Sequence, residues 1–88
     1  MITRVVMPPL SETEDECTIS RWLLQAGDEV ARGDVLLEVE TDKAVQEVES
    51  FGSGILRKIL AEDGETVPTG TLIAIIADED EDISGISE

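Results

Sequence analysis

The strongest constraint in this sequence is an internal repeat. Gly27, Val30, Gly33 and Leu36 recur as Gly64, Val67, Gly70 and Ile73, each displaced by 37 positions (27 to 64). Trp22 and Leu23 match Ile59 and Leu60 at the same offset, and Arg21 matches Lys58. The shared unit is strand, glycine turn, valine, glycine turn, strand. Two such units are too few for a solenoid, which needs roughly three or more to bury a continuous core. They can instead bury their apolar faces against each other as two half-sandwiches. The repeat therefore predicts an all-β fold, a flattened β-barrel or sandwich with pseudo-two-fold symmetry. Carried to the middle of the chain, the offset sets Lys43 opposite Val6, at the far end of the molecule from both termini.

The strands follow from alternation and β-branched content. Ile2 to Met7 reads as a strand ended by Pro8 and Pro9, which cannot donate to a ladder. Leu10 to Glu16 is a polar, acidic loop. Cys17 to Leu24 is a second strand with Ile19, Trp22 and Leu24 facing the core; its parity slips near Trp22, as at a bulge. Val30 marks a very short strand between turns at Ala26-Gly27-Asp28 and Arg32-Gly33-Asp34. Val35 to Glu40 and Ala44 to Glu49 form a hairpin with Asp42 and Lys43 at its tip. Neither tip residue is glycine, so a type I-like or longer turn is expected rather than a primed one. Ser50 to Gly54 is a flexible link; Ile55 to Leu60, a short piece at Val67, and Leu72 to Ala77 complete the set. The domain is expected over residues 1–77. Residues 78–88 begin with a like-charge block, Asp78 to Asp82, and read as a flexible acidic tail or the start of an interdomain linker.

Charge and size exclude several functions. The 88 residues carry 21 Asp plus Glu against 6 Lys plus Arg, a net of −15, which repels nucleic acid and anionic membranes. Partners are expected to present basic patches. A domain this small buries a modest fraction of its surface, so a deep enclosed active site is not expected. No apolar run reaches the ~20 residues of a membrane helix, and no signal or transit peptide is visible. The single cysteine, Cys17, makes no internal disulfide, so the reading is cytoplasmic, with the chain starting at its own Met1.

The polypeptide offers little catalytic chemistry of its own. There is no histidine, the usual general base near neutral pH. No cation lies near Cys17 in sequence to lower its pKa, which favours a buried structural thiol. The carboxylate pairs Glu38 with Glu40 and Glu47 with Glu49 share a strand face, but read as solvated faces rather than a cation site. There are two lysines. Lys58 sits within a strand at the repeat position of Arg21 and reads as an ordinary exposed cation. Lys43 protrudes at a hairpin tip, where a modifying enzyme could acylate it. On spacing alone, an ordinary polar turn residue is still the better reading.

An ordered series of residues changes that balance. Glu40-Thr41-Asp42-Lys43-Ala44 resembles the modification motif of lipoyl domains from 2-oxoacid dehydrogenase complexes. Met7-Pro8-Pro9-Leu10 is similar to the opening of that family, and Thr18-Ile19, Trp22 and Leu23 to its second strand. Gly27-Asp28, Val30, Gly33-Asp34 and Leu36 match the approach to the hairpin. Glu47, Gly54, Gly64, Val67, Gly70 and Leu72 match the second half, so the resemblance runs over residues 2–77. Three positions depart from the pattern. The family often has Gly near Cys17 and at Ser11, and often an apolar residue at Gln46. Leu10-Ser11-Glu12-Thr13 is closer to the pyruvate-type subset.

The resemblance implies two four-stranded antiparallel sheets and a lipoyl group (lipoic acid) amide-linked to Lys43, flanked by Glu40, Thr41, Asp42 and Ala44 as recognition residues. It implies a non-catalytic carrier, the substrate-carrying domain of a dihydrolipoamide acyltransferase. The arm would shuttle acyl groups and reducing equivalents among three partners. These are a thiamine-diphosphate-dependent dehydrogenase, the acyltransferase catalytic domain and dihydrolipoamide dehydrogenase. A lipoate ligase or octanoyltransferase would load it, and the isolated domain is expected to be a monomer. The loop holding Glu12, Glu14, Asp15 and Glu16 would lie near the lysine and help the dehydrogenase recognise its domain. Two relatives share the fold. In biotinyl carriers the lysine normally lies between two methionines, whereas here its neighbours are Asp42 and Ala44. The carrier of the glycine cleavage system is longer, with extra helices.

Overall fold

Alternating Val, Ile and Leu put one face of each segment out of water, and every such segment becomes a strand. The computed structural model describes residues 2–10, 15–41 and 43–86. The strands are β1 (Thr3–Val6), β2 (Glu16–Trp22), β3 (Glu29–Val30), β4 (Val35–Glu40), β5 (Val45–Glu49), β6 (Gly54–Ile59), β7 (Thr66–Pro68) and β8 (Leu72–Ala77). They make two four-stranded antiparallel sheets, ordered β1-β8-β6-β3 and β5-β4-β2-β7. β4 and β8 have the expected bounds, and the other strands differ at their ends by a residue or two. The expected slip in β2 is an irregularity between Ile19 and Arg21. Ile19 is fully buried, whereas Trp22 and Leu24 are partly buried against the core.

Exchanging β1 with β5, β2 with β6, β3 with β7 and β4 with β8 turns one sheet order into the other. The two repeats do not form one sheet each. Each contributes two strands to either sheet, so the halves interlock. The chain changes sheets between β2 and β3 and again between β3 and β4, and the second repeat does the same. These crossings are tight turns closed by Asp28 N to Gln25 O (3.0 Å) and Asp34 N to Ala31 O (3.0 Å). Their counterparts are Glu65 N to Glu62 O (3.1 Å) and Thr71 N to Pro68 O (3.2 Å). Gly27 and Gly64 occupy the third position of their turns with φ of 100° and 86°. That is the left-handed backbone a type II turn demands at this position, and glycine adopts it without steric cost.

The symmetry reaches individual bonds. Gly27 N donates to Leu56 O, and Gly64 N to Ile19 O, both at 2.7 Å. Leu23 N donates to Leu36 O (2.9 Å) as Leu60 N does to Ile73 O (2.8 Å). At the first strand, however, the offset changes. Gly70 N and Thr71 O hold Met7 as Gly33 N and Asp34 O hold Ser50, so β1 matches β5 at an offset of 43 (7 to 50). Lys43 is therefore not the counterpart of Val6, which the uniform offset of 37 had implied; Val6 corresponds to Glu49, and the turn at 41–44 to the segment at 78–81 that follows β8. The cause is the β1–β2 connection, which by this register is six residues (43 against 37) longer than the β5–β6 connection.

Ladder register then locates the hairpin. Thr18 pairs with Glu40, Glu16 pairs with Pro68, and Gly70 N bonds Met7 O. The end of β4 thus shares one pole with the exit of β1. Thr3, at the entrance to β1, pairs with Ile76 near the end of β8, so the body of the fold meets both chain ends at the other pole.

The core between the sheets contains Val5, Met7, Ile19, Leu36, Leu37, Val39, Leu56, Ile73 and Ile76. Trp22 ties the halves together: its amide donates to Asp63 Oδ1 (2.9 Å) and its indole Nε1 to Ala61 O (2.7 Å). All six residues of β8 are buried. Its outward Ile75 is paired with Arg4 on one side and Lys58 on the other, whose aliphatic stems can cover it while their charges stay in water. Past Ala77 the strand pattern stops; Arg57 Nη1 donates to Asp78 O (2.6 Å) and Glu81 O (2.9 Å), holding the first turn of the tail.

If the glycine turns are equivalent, their substitutions behave alike. Gly27→Ala and Gly64→Ala meet nothing within 4 Å at the new Cβ, so each pays only for backbone strain. Each is expected to lower stability by ~1–2 kcal/mol in urea unfolding, additively in the double variant. A loss in one variant with none in the other would contradict the equivalence.

Candidate functional site

The hairpin between β4 and β5 closes with the pair Glu40 and Val45, leaving Thr41 to Ala44 as its turn. No glycine serves it, and among the described residues no other residue type has a positive φ. Among the described residues, one side chain holds the turn. Thr41 N and Thr41 Oγ1 both donate to the Ala44 carbonyl, at 2.9 and 2.8 Å. In return, Lys43 N and Ala44 N donate to Thr41 Oγ1, at 3.3 and 3.2 Å. Asp42 lies outside the described residues.

This clamp leaves Lys43 with a fixed backbone and an unengaged side chain. Lys43 is exposed, and among the described residues its ammonium has no hydrogen bond or ion pair. Glu40, Ala44 and Val45 beside it are exposed as well, Val45 at 52%. An amine so exposed has no low-dielectric pocket in which to act as an acid or base. What it offers is a handle, an amine on a rigid projection that a second protein can enclose.

The surroundings are acidic. On the outer face of this sheet, Glu47 pairs across from Glu38, and Glu38 across from Arg21. Arg21 Nε and Glu38 Oε1 form a salt bridge at 2.8 Å. Thr18 and Thr66 share a hydroxyl hydrogen bond at 2.7 Å further along. Among the described residues, no group of three or more acidic or thiol side chains is arranged to hold a metal ion. Cys17 is buried and free, and faces the core rather than the tip. The long β1–β2 loop approaches the hairpin: Gln46 Nε2 lies 3.5 Å from Leu10 O, at the limit of a hydrogen bond. Ser11, Glu12, Thr13 and Glu14 lie outside the described residues. Lys58 is exposed on the other sheet, away from the tip.

Sequence reasoning placed Glu40, Thr41, Lys43 and Ala44 together as flanks of a modified lysine, and the turn does bring them together. It missed what Thr41 does within the turn. A hydroxyl residue three positions before the last turn residue is a known local hydrogen-bonding pattern, so a signal was present. It also missed the approach of Gln46 to the β1–β2 loop, which no sequence spacing encodes.

A solved lipoyl domain of the 2-oxoglutarate dehydrogenase complex from Azotobacter vinelandii superposes with a TM-score of 0.72 at 28% identity, covering 85% of this chain and 95% of that one. The urea carboxylase of Kluyveromyces lactis gives the same TM-score at 26% identity, covering 88% of this chain but 6% of that enzyme. In sequence, the dihydrolipoyllysine-residue acetyltransferase component of the pyruvate dehydrogenase complex of Zymomonas mobilis is 44% identical over 88 residues, 99% of this chain and 20% of that protein. The mitochondrial protein X component of the Chaetomium thermophilum pyruvate dehydrogenase complex is 48% identical over 80 residues, 90% of this chain and 18% of that protein. The chain thus spans about a fifth of the length of these curated relatives. The biotin–lipoyl family model, described as "Biotin-requiring enzyme", matches residues 3–76. That match takes in every strand of both sheets, and the chain belongs to the biotin–lipoyl family of carrier domains.

Proposed function

We propose that this protein is a lipoyl carrier domain of a 2-oxoacid dehydrogenase complex, with lipoic acid joined by an amide to Nζ of Lys43. The observation that carries this reading is the exposed Lys43 amine, unpartnered among the described residues, at the tip of a clamped hairpin within Glu40-Thr41-Asp42-Lys43-Ala44. The names of the sequence relatives, acetyltransferase and protein X components of pyruvate dehydrogenase complexes, support the same setting. When bound, lipoic acid supplies a disulfide that is reduced as it takes up an acyl group and is reoxidised after that group leaves.

The chain's own residues do the mechanical part. The turn fixes where the arm begins, and the two-sheet body keeps that point from collapsing onto the protein. Tethering raises the arm's local concentration at each enzyme it visits. Those enzymes would be a thiamine-diphosphate-dependent dehydrogenase, an acyltransferase domain and dihydrolipoamide dehydrogenase; a lipoate ligase or octanoyltransferase would load the lysine. The net charge of −15 favours basic docking surfaces and faster encounter at low salt. Buried, free Cys17 fits a reducing cytosol. Residues 1–77 form the carrier unit in this reading, and 78–88 begin a linker. Its mobility is measurable as backbone order parameters: values below those of the strands are expected beyond Glu81, and strand-like values through Ile86 would refute the linker assignment.

A biotin carrier is the second reading, because the matching family model covers biotin-dependent proteins as well. With ATP, lipoate and a lipoate ligase, the protein is expected to gain the mass of one lipoyl group, lost in Lys43→Ala. Avidin capture after treatment with biotin ligase, without lipoylation, would favour biotin instead. Because Lys43 is exposed and its ammonium has no hydrogen bond or ion pair among the described residues, Lys43→Ala is expected to change folding stability by no more than ~0.5 kcal/mol. A larger loss in urea unfolding would mean that the lysine is structural.

A further inference from the structure

We infer that Thr41 is the positioning residue for modification of Lys43: its hydroxyl presents the lysine backbone to the modifying enzyme. This rests on the reading of Lys43 as the attachment point. The hydroxyl makes three contacts within one turn, accepting from Lys43 N and Ala44 N and donating to Ala44 O. Only a group that both accepts and donates can do this. The glycine turns next to it in sequence solve the same problem differently. At Gln25 to Asp28 and at Ala31 to Asp34, the closing aspartate accepts from the first residue's amide, at 2.8 and 2.9 Å, while glycine supplies the left-handed backbone. Ionised carboxylates accept and cannot donate.

Among its described residues, the hairpin tip has neither device. Without the Thr41 hydroxyl, the amides of Lys43 and Ala44 have no partner among the described residues, and the Ala44 carbonyl keeps only Thr41 N. Exposed, those amides turn to water, so the fold survives while the turn samples more conformations. The modifying enzyme must then restore one backbone geometry for each encounter. The role of Thr41 is therefore felt in the reaction of Lys43 far more than in the stability of the sheets.

The test compares Thr41→Val, which keeps the shape and removes the hydroxyl, with Thr41→Ser, which keeps the hydroxyl. With lipoate ligase, ATP and lipoate, kcat/KM for modification of Thr41→Val is expected to fall at least about five-fold, with serine restoring it to within about two-fold. Amide hydrogen exchange at Lys43 and Ala44 is expected to quicken in the valine variant, while that of Leu37 and Ile76 in the core stays unchanged. Equal modification rates for the parent and Thr41→Val, or a serine variant as slow as valine, would overturn the role given to Thr41. Loss of core protection in the valine variant would also overturn it, since Thr41 would then act through folding. A parent protein left unmodified by the ligase would instead overturn the functional reading, and this role with it.

Discussion

Everything in this fold depends on crossing from one sheet to the other through connections of three to six residues. A strand that leaves one sheet must turn sharply to join the other, and its amides must find partners at once. The glycine turns supply the backbone conformation, and the amides of Gly27 and Gly64 are immediately taken by carbonyls in the opposite repeat. Each crossing is thus closed by a bond within its own repeat and tied to the other repeat by its glycine amide. Neither repeat has a complete hydrophobic face alone, because each gives two strands to either sheet. Trp22 extends the same logic to side chains, with its amide and its indole both spent on the second repeat.

How much of this could be read from sequence depended on whether the controlling interaction was local. β4 and β8 were legible to the residue, because their apolar runs end against polar turns. The all-β class, the sandwich and its two-fold character followed from the recurrence of glycine and valine at one spacing. Interleaving of the halves was not legible, because strand pairing is decided by contacts distant in sequence. The uniform offset failed at β1 because the β1–β2 connection has its own length, and nothing in the repeat constrains a loop. At the site, the position of Lys43 on a hairpin tip could be inferred from its flanking strands. The use of the Thr41 hydroxyl had a local signal in its spacing from Ala44, but which backbone groups it would engage depended on the conformation of the turn.

The two outer faces show how a symmetric scaffold acquires unlike surfaces. The row Arg4, Ile75, Lys58 on one sheet occupies the places of Glu47, Glu38, Arg21 on the other. One row covers an isoleucine with the stems of two cations. The other sets two carboxylates across from each other, a repulsion relieved by the Arg21 pair. The hairpin carrying Lys43 belongs to the acidic sheet, and the extra loop residues are added at its end of the molecule. The departures from symmetry thus include the pole that carries the Lys43 hairpin.

The polarity of the fold has a mechanical consequence. The chain leaves the body at one pole and the free amine stands at the other, on a molecule whose longest dimension is 39 Å. In the proposed reading, a load carried at the tip would be held away from the chain ends by the folded body instead of by more loose chain. A flexible leash gains reach only as the square root of its length, whereas a folded strut adds its own span in full. In the proposed reading, the body would also keep the chain ends clear of an enzyme that closes over the tip.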